Sequence, residues 1–224
     1  MGSDLPKVLL PLCGCPMITY ILDMLSELGI ARPVVVISKS GDKVKETLGD
    51  RCRYALQDEQ LGSGHAVLCA REEAQGSDHI IVMCGDSPLF RKKTVHALME
   101  THIRENAAIT LTSAILENPH GYGRILRSAD GEVSGIAEEK LATDEQKAIK
   151  EVNGGSYAFD ANWLWDNIDL MHKNEAGEYC LTEMVDIAIS QGHRVVTVSA
   201  APDELQGINT PDQLREAEEV LKKH

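Results

Sequence analysis

Short apolar runs alternate along the first half of the chain with segments in which apolar residues recur at helical spacing. The apolar runs lie at 33–38, 52–57 and 79–84, and the helical patterns lie at 16–30, 41–49, 64–74 and 92–106. Unbroken apolar strands that alternate with helices are typical of a parallel sheet covered on both faces. The pattern therefore predicts an α/β fold with a doubly wound, mostly parallel sheet.

The pattern changes after about residue 106. A strand is predicted at 108–117, a hairpin at 123–139, a strand at 154–161, helices at 161–170 and 179–191, a strand at 194–200 and a closing helix from 210. Asp130 and Gly131 suit the hairpin turn. Thr210 and Pro211 suit the N-cap and the first position of the closing helix. We predict a single domain in which residues 107–224 add a β-rich insertion that forms one wall of a cleft.

Composition narrows the class of protein. The 224 residues are 43% hydrophobic, which is enough for a substantial core, and they carry a net charge of −13. An acidic chain is a poor general binder of nucleic acid, because that affinity comes mostly from neutralised phosphates. No apolar run approaches the roughly 20 residues that span a bilayer, and Asp4 and Pro6 interrupt the apolar run where a signal peptide would need continuity. We expect a cytoplasmic protein without a nucleic-acid or membrane partner.

Six cysteines are spread along the chain, at positions 13, 15, 52, 69, 84 and 180. The "CGC" at 13–15 resembles half of a metal site, but no second pair has zinc spacing. Most of the others lie in apolar runs. We expect reduced thiols that are mostly buried.

Polar residues follow two of the predicted strands at the edge where open α/β sheets bind ligands. Asp86 comes after the strand at 79–84, and its carboxylate is placed to hold a magnesium ion over a triphosphate. A helix cap or a turn before Pro88 explains Asp86 equally well.

The second polar segment is "QDEQLGSGH", residues 57–65, after the strand at 52–57. Glutamine side chains offer the paired donors and acceptors needed to bind a pyrimidine edge, and Gly62 and Gly64 allow close approach of backbone to a ring or phosphate. The alternative is an ordinary loop with Ser63 as N-cap and a packed or capping His65. Lys7 could meet phosphate, although a solvated lysine explains it as well.

The whole set of motifs resembles one family. "SDLPKVL", "QDEQLGSGHA", "CGDSPL", "GYGRIL", "GIAEEKLATDEQKAIKEVNGG", "GEYCLTE" and "QGINT" occur in the order found in bacterial N-acetylglucosamine-1-phosphate uridyltransferases. The resemblance is to their N-terminal nucleotidyltransferase domain and covers essentially the whole chain. "EQLGSGHA" and "GIAEEKLATDEQ" are highly specific, whereas "GD" and "GYG" are weak alone. The resemblance implies a Rossmann-like nucleotidyltransferase fold with a sugar-binding insertion after a nucleotide-binding half at about 1–106.

Site residues follow from the resemblance by matching position. Lys7 would contact phosphate and, with Asp86, serve catalysis, while Asp86 and Asn209 would bind Mg²⁺. The uracil-binding segment would comprise Gln57, Gln60, Leu61, Gly62, Ser63 and Gly64, with Lys7 and Asp86 completing the nucleotide site. The amino sugar would be held by Gly123, Glu138 and Asn153. The family has Thr where this chain has Gly154, and often Thr where it has Ser63.

The implied reaction converts UTP and N-acetylglucosamine 1-phosphate to UDP-N-acetylglucosamine and pyrophosphate, with Mg²⁺, for cell-wall precursor synthesis. One alternative is a catalytically silent fold that binds a sugar nucleotide or a protein. Another is a pyrophosphorylase for a different sugar 1-phosphate. The oligomeric state is left open.

Two departures from the family pattern lie at the ends of the sequence. The family opens with a strand and a glycine loop of the form L-A-A-G-x-G-T-R-M, and Met1 falls at the final Met of that motif. Without this central strand, we expect its neighbours to close up, leave a gap, or recruit another segment or chain. The family's C-terminal β-helix acetyltransferase domain is expected to be absent beyond His224.

Overall fold

The structure is a computed structural model, which describes residues 5–222. The α-helices of this part of the chain are α1 (Met17–Glu27), α2 (Asp42–Leu48), α3 (Ser63–Cys69), α4 (Lys92–Glu105), α5 (Asp144–Lys147), α6 (Ala161–Asn167), α7 (Glu183–Ser190) and α8 (Pro211–Leu221). Short 3₁₀ turns lie at Lys7–Leu9, Gly49–Arg51, Ile168–Leu170 and Pro202–Leu205. Within the described range, no helix is both long and apolar enough to cross a membrane.

The strands are β1 (Pro11–Leu12), β2 (Cys15–Pro16), β3 (Val34–Ile37), β4 (Arg53–Leu56), β5 (His79–Val82), β6 (Ile109–Ile115), β7 (Arg124–Arg127), β8 (Val133–Ala137), β9 (Glu151–Asp160) and β10 (Val195–Ser199). Most lie where apolar runs predicted them. β9 is longer than expected and begins at Glu151 rather than at Gly154.

A six-stranded sheet is organised around the long strand β9. The order along one path is β10-β6-β9-β7-β8, and β5 also pairs with β9. β5, β6 and β7 are antiparallel to β9, while β10 is parallel to β6. Because β5 and β6 both oppose β9, they share one direction. The predicted α/β class with a mostly parallel sheet is confirmed in a mixed form, because β8 and β9 run opposite to β5, β6, β7 and β10.

β3 and β4 form a separate two-stranded parallel sheet. Among the described residues, β3 pairs only with β4, and β5 pairs only with β9. The space between β3 and β5 belongs to a cavity of about 1260 Å³. Among the described residues no strand lies in this space, which is called the gap between β3 and β5.

The main core lies between the six-stranded sheet and helices α6 and α7. Phe159 of β9, Ile109 and Leu111 of β6, Leu164 of α6 and Met184 of α7 are fully buried within it. A second cluster joins α1 to Val95 of α4 and to the far end of β9, and a third packs α1 and α2 against β3. Helix α1 therefore contacts the six-stranded sheet and the β3-β4 sheet.

Some of the predicted capping and turn residues take their expected positions, and others do not. Thr210 caps α8 as predicted, since its side chain accepts from Gln213 N at 3.2 Å. The hairpin turn at Asp130-Gly131 is also confirmed, because Gly131 has φ +82 and donates to Ser128. Ser63 is not the N-cap of α3: Gly62 takes that position and Ser63 begins the helix. α3 also ends at Cys69, short of the predicted limit at residue 74.

The expectation of mostly buried cysteines is wrong. Of the six free cysteines, only Cys52 is buried. Cys13 and Cys15 are exposed because they flank Gly14 in the tight turn between β1 and β2. Cys84 lies beyond the end of β5 and faces the cavity, so its apolar run did not lead to burial.

Candidate functional site

Three residues that are far apart in sequence converge at the end of β5. The Lys7 ammonium forms an ion pair with Asp86 Oδ2 and donates to Asn209 Oδ1 at 2.7 Å. The side chains of Lys7 and Asp86 keep 37% and 26% of their exposure, so solvent reaches the cluster. The structure thus joins the three residues assigned to phosphate and metal binding.

Local backbone structure fixes this cluster. Pro6 precedes the 3₁₀ turn that carries Lys7, and Asp86 lies four residues past Val82, the last residue of β5. Ile208 N donates to the backbone oxygen of Asp86 at 2.9 Å, which ties the segment before α8 to the end of β5. Asn209 N donates to the side chain of Gln213 at 2.7 Å. The side chains of Asp86 and Asn209 therefore lie on two segments that are hydrogen-bonded to each other.

The oxygens of Asp86 and Asn209 fit a divalent cation. They already surround a positive charge, the Lys7 ammonium, and hard oxygen donors are the ligands that Mg²⁺ prefers. Two protein ligands with phosphates and water completing the shell is a usual arrangement for Mg²⁺. Within residues 5–222, no cluster of three or more His, Cys, Asp or Glu residues offers a closed metal site.

The segment predicted to bind uracil lines the same cavity as Lys7. Gln57, Gln60 and Ser63 all contribute to its wall. Gln57 Nε2 donates to the backbone oxygen of Gly62 at 3.0 Å and lies 3.2 Å from His65 Nδ1. Gln57 therefore braces its own loop, and His65 is a packed partner, as the simpler alternative held.

Gly62 and Gly64 have a packing explanation. A Cβ on Gly62 would lie 2.6 Å from the backbone oxygen of Tyr179, and Gly62 has φ +97. A Cβ on Gly64 would lie 2.5 Å from Met171 Sδ. Residues 61–64 also form backbone hydrogen bonds with Tyr179, whose N–H donates to Leu61 O at 2.7 Å. These glycines let the chain approach itself, and a nucleobase contact stays a prediction.

The residues assigned to the amino sugar also lie together. Asn153 N donates to Gly123 O at 2.8 Å, and a Cβ built on Gly123 would lie 3.7 Å from Glu138 Oε2. Glu138 Oε1 accepts from Thr182 Oγ1 at 2.6 Å. Asn153 Nδ2 donates to the hydroxyl oxygen of Tyr157 at 2.6 Å. Strands β7, β8 and β9 thus present one polar wall.

Gly154 departs from the family pattern, and the structure shows why glycine fits there. A Cβ at this position would overlap Thr112 Oγ1 and would lie 2.9 Å from Thr112 Cβ. Thr112 of β6 is fully buried, so it has little room to move. A threonine at 154 therefore does not fit beside Thr112.

Three further residues belong to the wall, although the sequence did not single them out. Cys84 Sγ lies 3.8 Å from the backbone oxygen of Gly155, so it connects the Asp86 segment with the sugar wall. Although Cys84 is exposed to the cavity, the surrounding protein desolvates its thiol, and this desolvation together with the Asp86 charge raises the pKa of Cys84 to about 11. Burial also raises the pKa of Tyr157. Thr182 occurs within the quoted motif "GEYCLTE", which was the available signal for it.

Arg124 of the motif "GYGRIL" is part of the scaffold. It is 2% exposed, and its guanidinium lies 2.7 Å from Glu139 Oε2. The Arg124 hydrogen bond, with burial opposing it, lowers the pKa of Glu139. The side chain also donates to the backbone oxygen of Tyr122. Arg124 therefore stabilises the turn that contains Tyr122.

Known proteins resemble this chain along its whole length. It is 45% identical over 225 residues to the bifunctional protein GlmU of Heliobacterium modesticaldum and 42% identical over 226 residues to that of Geobacillus thermodenitrificans. Each alignment covers 99% of this chain and 49% of the relative, so the chain spans about half the length of these relatives.

The fold also has a solved counterpart. A CMP:2-keto-3-deoxy-manno-octonic acid synthetase, complexed with CTP, superposes with a TM-score of 0.72 at 18% identity, covering 99% of this chain and 95% of that one. At that identity the likeness shows the fold alone. The sequence profile of the nucleotidyl transferase family matches residues 1–218. With a profile match over nearly all of the sequence and relatives above 40% identity, the chain belongs to the nucleotidyl transferase family.

Proposed function

We propose that this chain transfers a uridylyl group from UTP to N-acetylglucosamine 1-phosphate, releasing pyrophosphate and forming UDP-N-acetylglucosamine. The observation that carries the proposal is the convergence of Lys7, Asp86 and Asn209 beside a polar wall that contains Glu138 and Asn153. The family and the similarity to GlmU proteins support the same reaction. Residues 1–106 supply the nucleotide-binding half, and residues 107–224 supply the sugar-binding half.

The reaction requires no protein nucleophile. An oxygen of the sugar phosphate forms a bond to the α-phosphorus of UTP, while the bond from that phosphorus to the bridging oxygen of pyrophosphate breaks. Two anions must approach each other, so positioning and neutralisation of charge carry the catalysis. Lys7 supplies a positive charge at the point where the two halves of the site meet.

Asp86 and Asn209 would hold Mg²⁺ through their side-chain oxygens. When bound, the ion supplies neutralisation of phosphate charge. The Lys7 ammonium would then leave the oxygens of Asp86 and Asn209 and donate to phosphate oxygens instead. Its flexible stem permits that exchange, since the ammonium is a point charge without the fixed geometry of a guanidinium.

The two flanks of the site would hold the ends of the substrates. Glu138 would accept a hydrogen bond from the sugar while Thr182 fixes its other oxygen, and Asn153 would present its amide beside Tyr157. Gln57 would turn its amide to the uracil edge. UDP-N-acetylglucosamine is a precursor sugar nucleotide, so a cytoplasmic role in cell-wall synthesis forms part of the proposal.

The test is release of pyrophosphate from UTP, N-acetylglucosamine 1-phosphate and Mg²⁺. Asp86→Asn should lower kcat about 10²–10³-fold, the range for loss of one group that stabilises transition-state charge. Asp166→Asn, an exposed residue of α6, is the matched control and should retain full activity. Turnover by the parent protein that survives Asp86→Asn would contradict the assignment.

The gap between β3 and β5 favours a second candidate, a fold that binds the sugar nucleotide without turnover. In that case calorimetry would detect UDP-N-acetylglucosamine binding while pyrophosphate release stays at background. A panel that includes glucose 1-phosphate tests the sugar, since the proposal requires a preference for the N-acetylated substrate.

A further inference from the structure

The two segments that carry Asp86 and Asn209 lie side by side and run in opposite directions. At one end, Ile208 N donates to the backbone oxygen of Asp86 at 2.9 Å. Further from the ligands, Phe90 of the first segment belongs to the same buried cluster as Leu205 of the second. The two segments therefore form one unit, with the proposed metal ligands at one of its ends.

A buried carboxylate, that of Glu204, occupies the other end of this unit. The residue is 1% exposed. Its Oε2 accepts from Arg91 N at 2.8 Å, and its Oε1 accepts from Thr94 Oγ1 and from Ala201 N, each at 3.0 Å. Arg91 is the N-cap residue of α4, and Ala201 is that of the 3₁₀ turn at Pro202–Leu205. One side chain therefore joins the start of α4 to the turn that leads to Asn209.

Burial of the Glu204 charge is not explained by stability alone. The Arg91 guanidinium lies 3.7 Å from Glu204 Oε1, but it also forms an ion pair with Asp203. A buried charge is costly unless it is paired and hydrogen-bonded, and replacing a buried ion pair with apolar residues is often neutral or stabilising. What three hydrogen bonds add over an apolar contact is direction, because each bond is strong only in a narrow geometry.

The distance between the two ligand oxygens depends on this direction. In the structure, Lys7 bridges the side chains of Asp86 and Asn209, and in the proposed reaction its ammonium would move to phosphate. The backbone of the two segments then sets the distance between the ligands. Without the bonds of Glu204, the far end of the unit would open and the two segments would pivot about the bond from Ile208 to Asp86.

We propose that Glu204 is a positioning residue, which sets the distance between Asp86 and Asn209 and thereby the affinity of the site for a divalent cation. Glu204 acts through backbone segments and touches neither substrate nor metal. The inference rests on the proposed function, because it takes Asp86 and Asn209 as the ligands. Residues that orient metal ligands commonly contribute a factor of about 10–100 in metal affinity.

The first measurement is Mn²⁺ binding to the nucleotide-free protein, by electron paramagnetic resonance of the free ion. Glu204→Gln replaces one acceptor oxygen with a donor, so one bond to the carboxylate is lost, and Mn²⁺ affinity should fall about tenfold. Asp160→Ala is the matched control and should leave the affinity unchanged. Asp160 likewise accepts from an N–H at a helix start, that of Trp163 at 2.7 Å, but it pairs with His79 at the opposite end of β5 from Asp86.

The second measurement is the Mg²⁺ dependence of pyrophosphate release. In Glu204→Gln the Mg²⁺ concentration that gives the half-maximal rate should rise about tenfold, while kcat at saturating Mg²⁺ should stay within about twofold of the parent value. Loss of folded protein would instead lower kcat at every Mg²⁺ concentration. Thr94→Val is a milder variant that removes one bond to Glu204, and it should weaken Mn²⁺ binding about threefold. Urea unfolding shows that each variant is folded.

Asp86→Asn, measured in the same Mn²⁺ assay, distinguishes failure of the positioning role from failure of the proposed function. Affinity that falls in Asp86→Asn but not in Glu204→Gln would overturn the positioning role alone. Equal losses in Glu204→Gln and Asp160→Ala would also overturn it, since both would then follow from reduced stability. Unchanged affinity in Asp86→Asn would contradict the metal assignment and the positioning role together. Affinity that falls in Asp86→Asn and Glu204→Gln, in a protein that releases no pyrophosphate, would refute only the transfer reaction.

Discussion

The six-stranded sheet and the β3-β4 sheet are built from similar apolar sequences but differ in how many strands flank each strand. In the six-stranded sheet, the interior positions of β6 and the end of β9 are almost entirely buried. In β3, "VVVI" leaves three of its four residues partly exposed. The difference lies in neighbours, because β9 bonds to β5, β6 and β7, whereas β3 bonds to a single strand.

An apolar run therefore predicts that a segment is a strand, but not that the strand has partners on both edges. Burial of the same residue type contributes differently in the two sheets, since the apolar area removed from water depends on those partners. The polar sugar wall stands on β7, β8 and β9, whereas Lys7 and Gln57 line the cavity beside β3 and β5, which each pair with one strand among the described residues.

Removing a side chain from β9, the central strand of the six-stranded sheet, should destabilise the protein far more than removing one from β3. Phe159→Ala should lower the free energy of unfolding by about 3–5 kcal/mol, as for a fully buried aromatic residue. Val36→Ala, in the half-exposed strand, should cost about 1 kcal/mol. Urea unfolding followed by circular dichroism measures both. Equal losses would show that β3 is as well packed as β9.

The sugar wall should act on one substrate only. Glu138→Ala removes a charged acceptor worth about 1.5–3 kcal/mol, so KM for the sugar phosphate should rise about 10–100-fold. KM for UTP should stay within about twofold. Steady-state kinetics with each substrate varied separately measures this, and Glu145→Ala on exposed α5 serves as the control. A parallel change in both KM values would mean that Glu138 supports the fold rather than the sugar.

The histidine at the edge of the cavity should make stability depend on pH. Burial, and then the nearby His79, lower the pKa of His102 below its ordinary 6.5. The folded protein then binds fewer protons than the unfolded chain, so stability should fall as pH drops below about 6.5, by at most about 1.4 kcal/mol per pH unit. His102→Asn should reduce the dependence of stability on pH. His96→Asn, at an exposed position of α4, should leave it unchanged. Thermal unfolding between pH 5 and pH 8 gives the comparison, and an unchanged slope in His102→Asn would refute it.

The smallest effect concerns Lys7. Its ammonium lies between the two oxygens proposed as metal ligands, and an exposed ion pair contributes about 0.2–1 kcal/mol. Lys7→Met should therefore tighten Mn²⁺ binding to the nucleotide-free protein up to about fivefold. Electron paramagnetic resonance of free Mn²⁺ measures the affinity, with Lys93→Met as the control. Weaker binding in Lys7→Met would place the metal elsewhere.

Much of the fold follows from local signals, and the exceptions have one physical cause. Thr210 and Gly131 act through bonds to their own neighbours, so their sequence context determined their structure. The length of β9 and its antiparallel pairing depend on distant strands, so the local sequence "GGSYAFDA" does not predict them. α3 gives way to tighter turns, in which Ala70 N bonds to Val67 O and Arg71 N to Leu68 O, and the Arg71 side chain then reaches the distant Trp165 O and Asp169.

The candidate site residues also divide into those that sequence motifs identify and those that depend on contacts between distant segments. Lys7, Asp86 and Asn209 could be assigned because motif order carried them, although they lie up to 202 positions apart. Tyr157 and Cys84 were missed because an apolar run conceals a residue whose polar atom meets a partner from another strand. The glycines of "QLGSG" were assigned to a ligand, and their crowding against Tyr179 and Met171 could not be seen without tertiary contacts.

The crowding of Gly154 against Thr112 has an evolutionary consequence. A Cβ at 154 would lie 2.9 Å from Thr112 Cβ and 2.9 Å from the Thr112 backbone oxygen, in addition to its overlap with the hydroxyl. Loss of the hydroxyl at 112 therefore does not by itself admit a side chain at 154, because the backbone contact remains. A lineage that acquires a side chain at 154 must also move β6 relative to β9, so Gly154 is retained by its neighbour's backbone and not by one replaceable side chain.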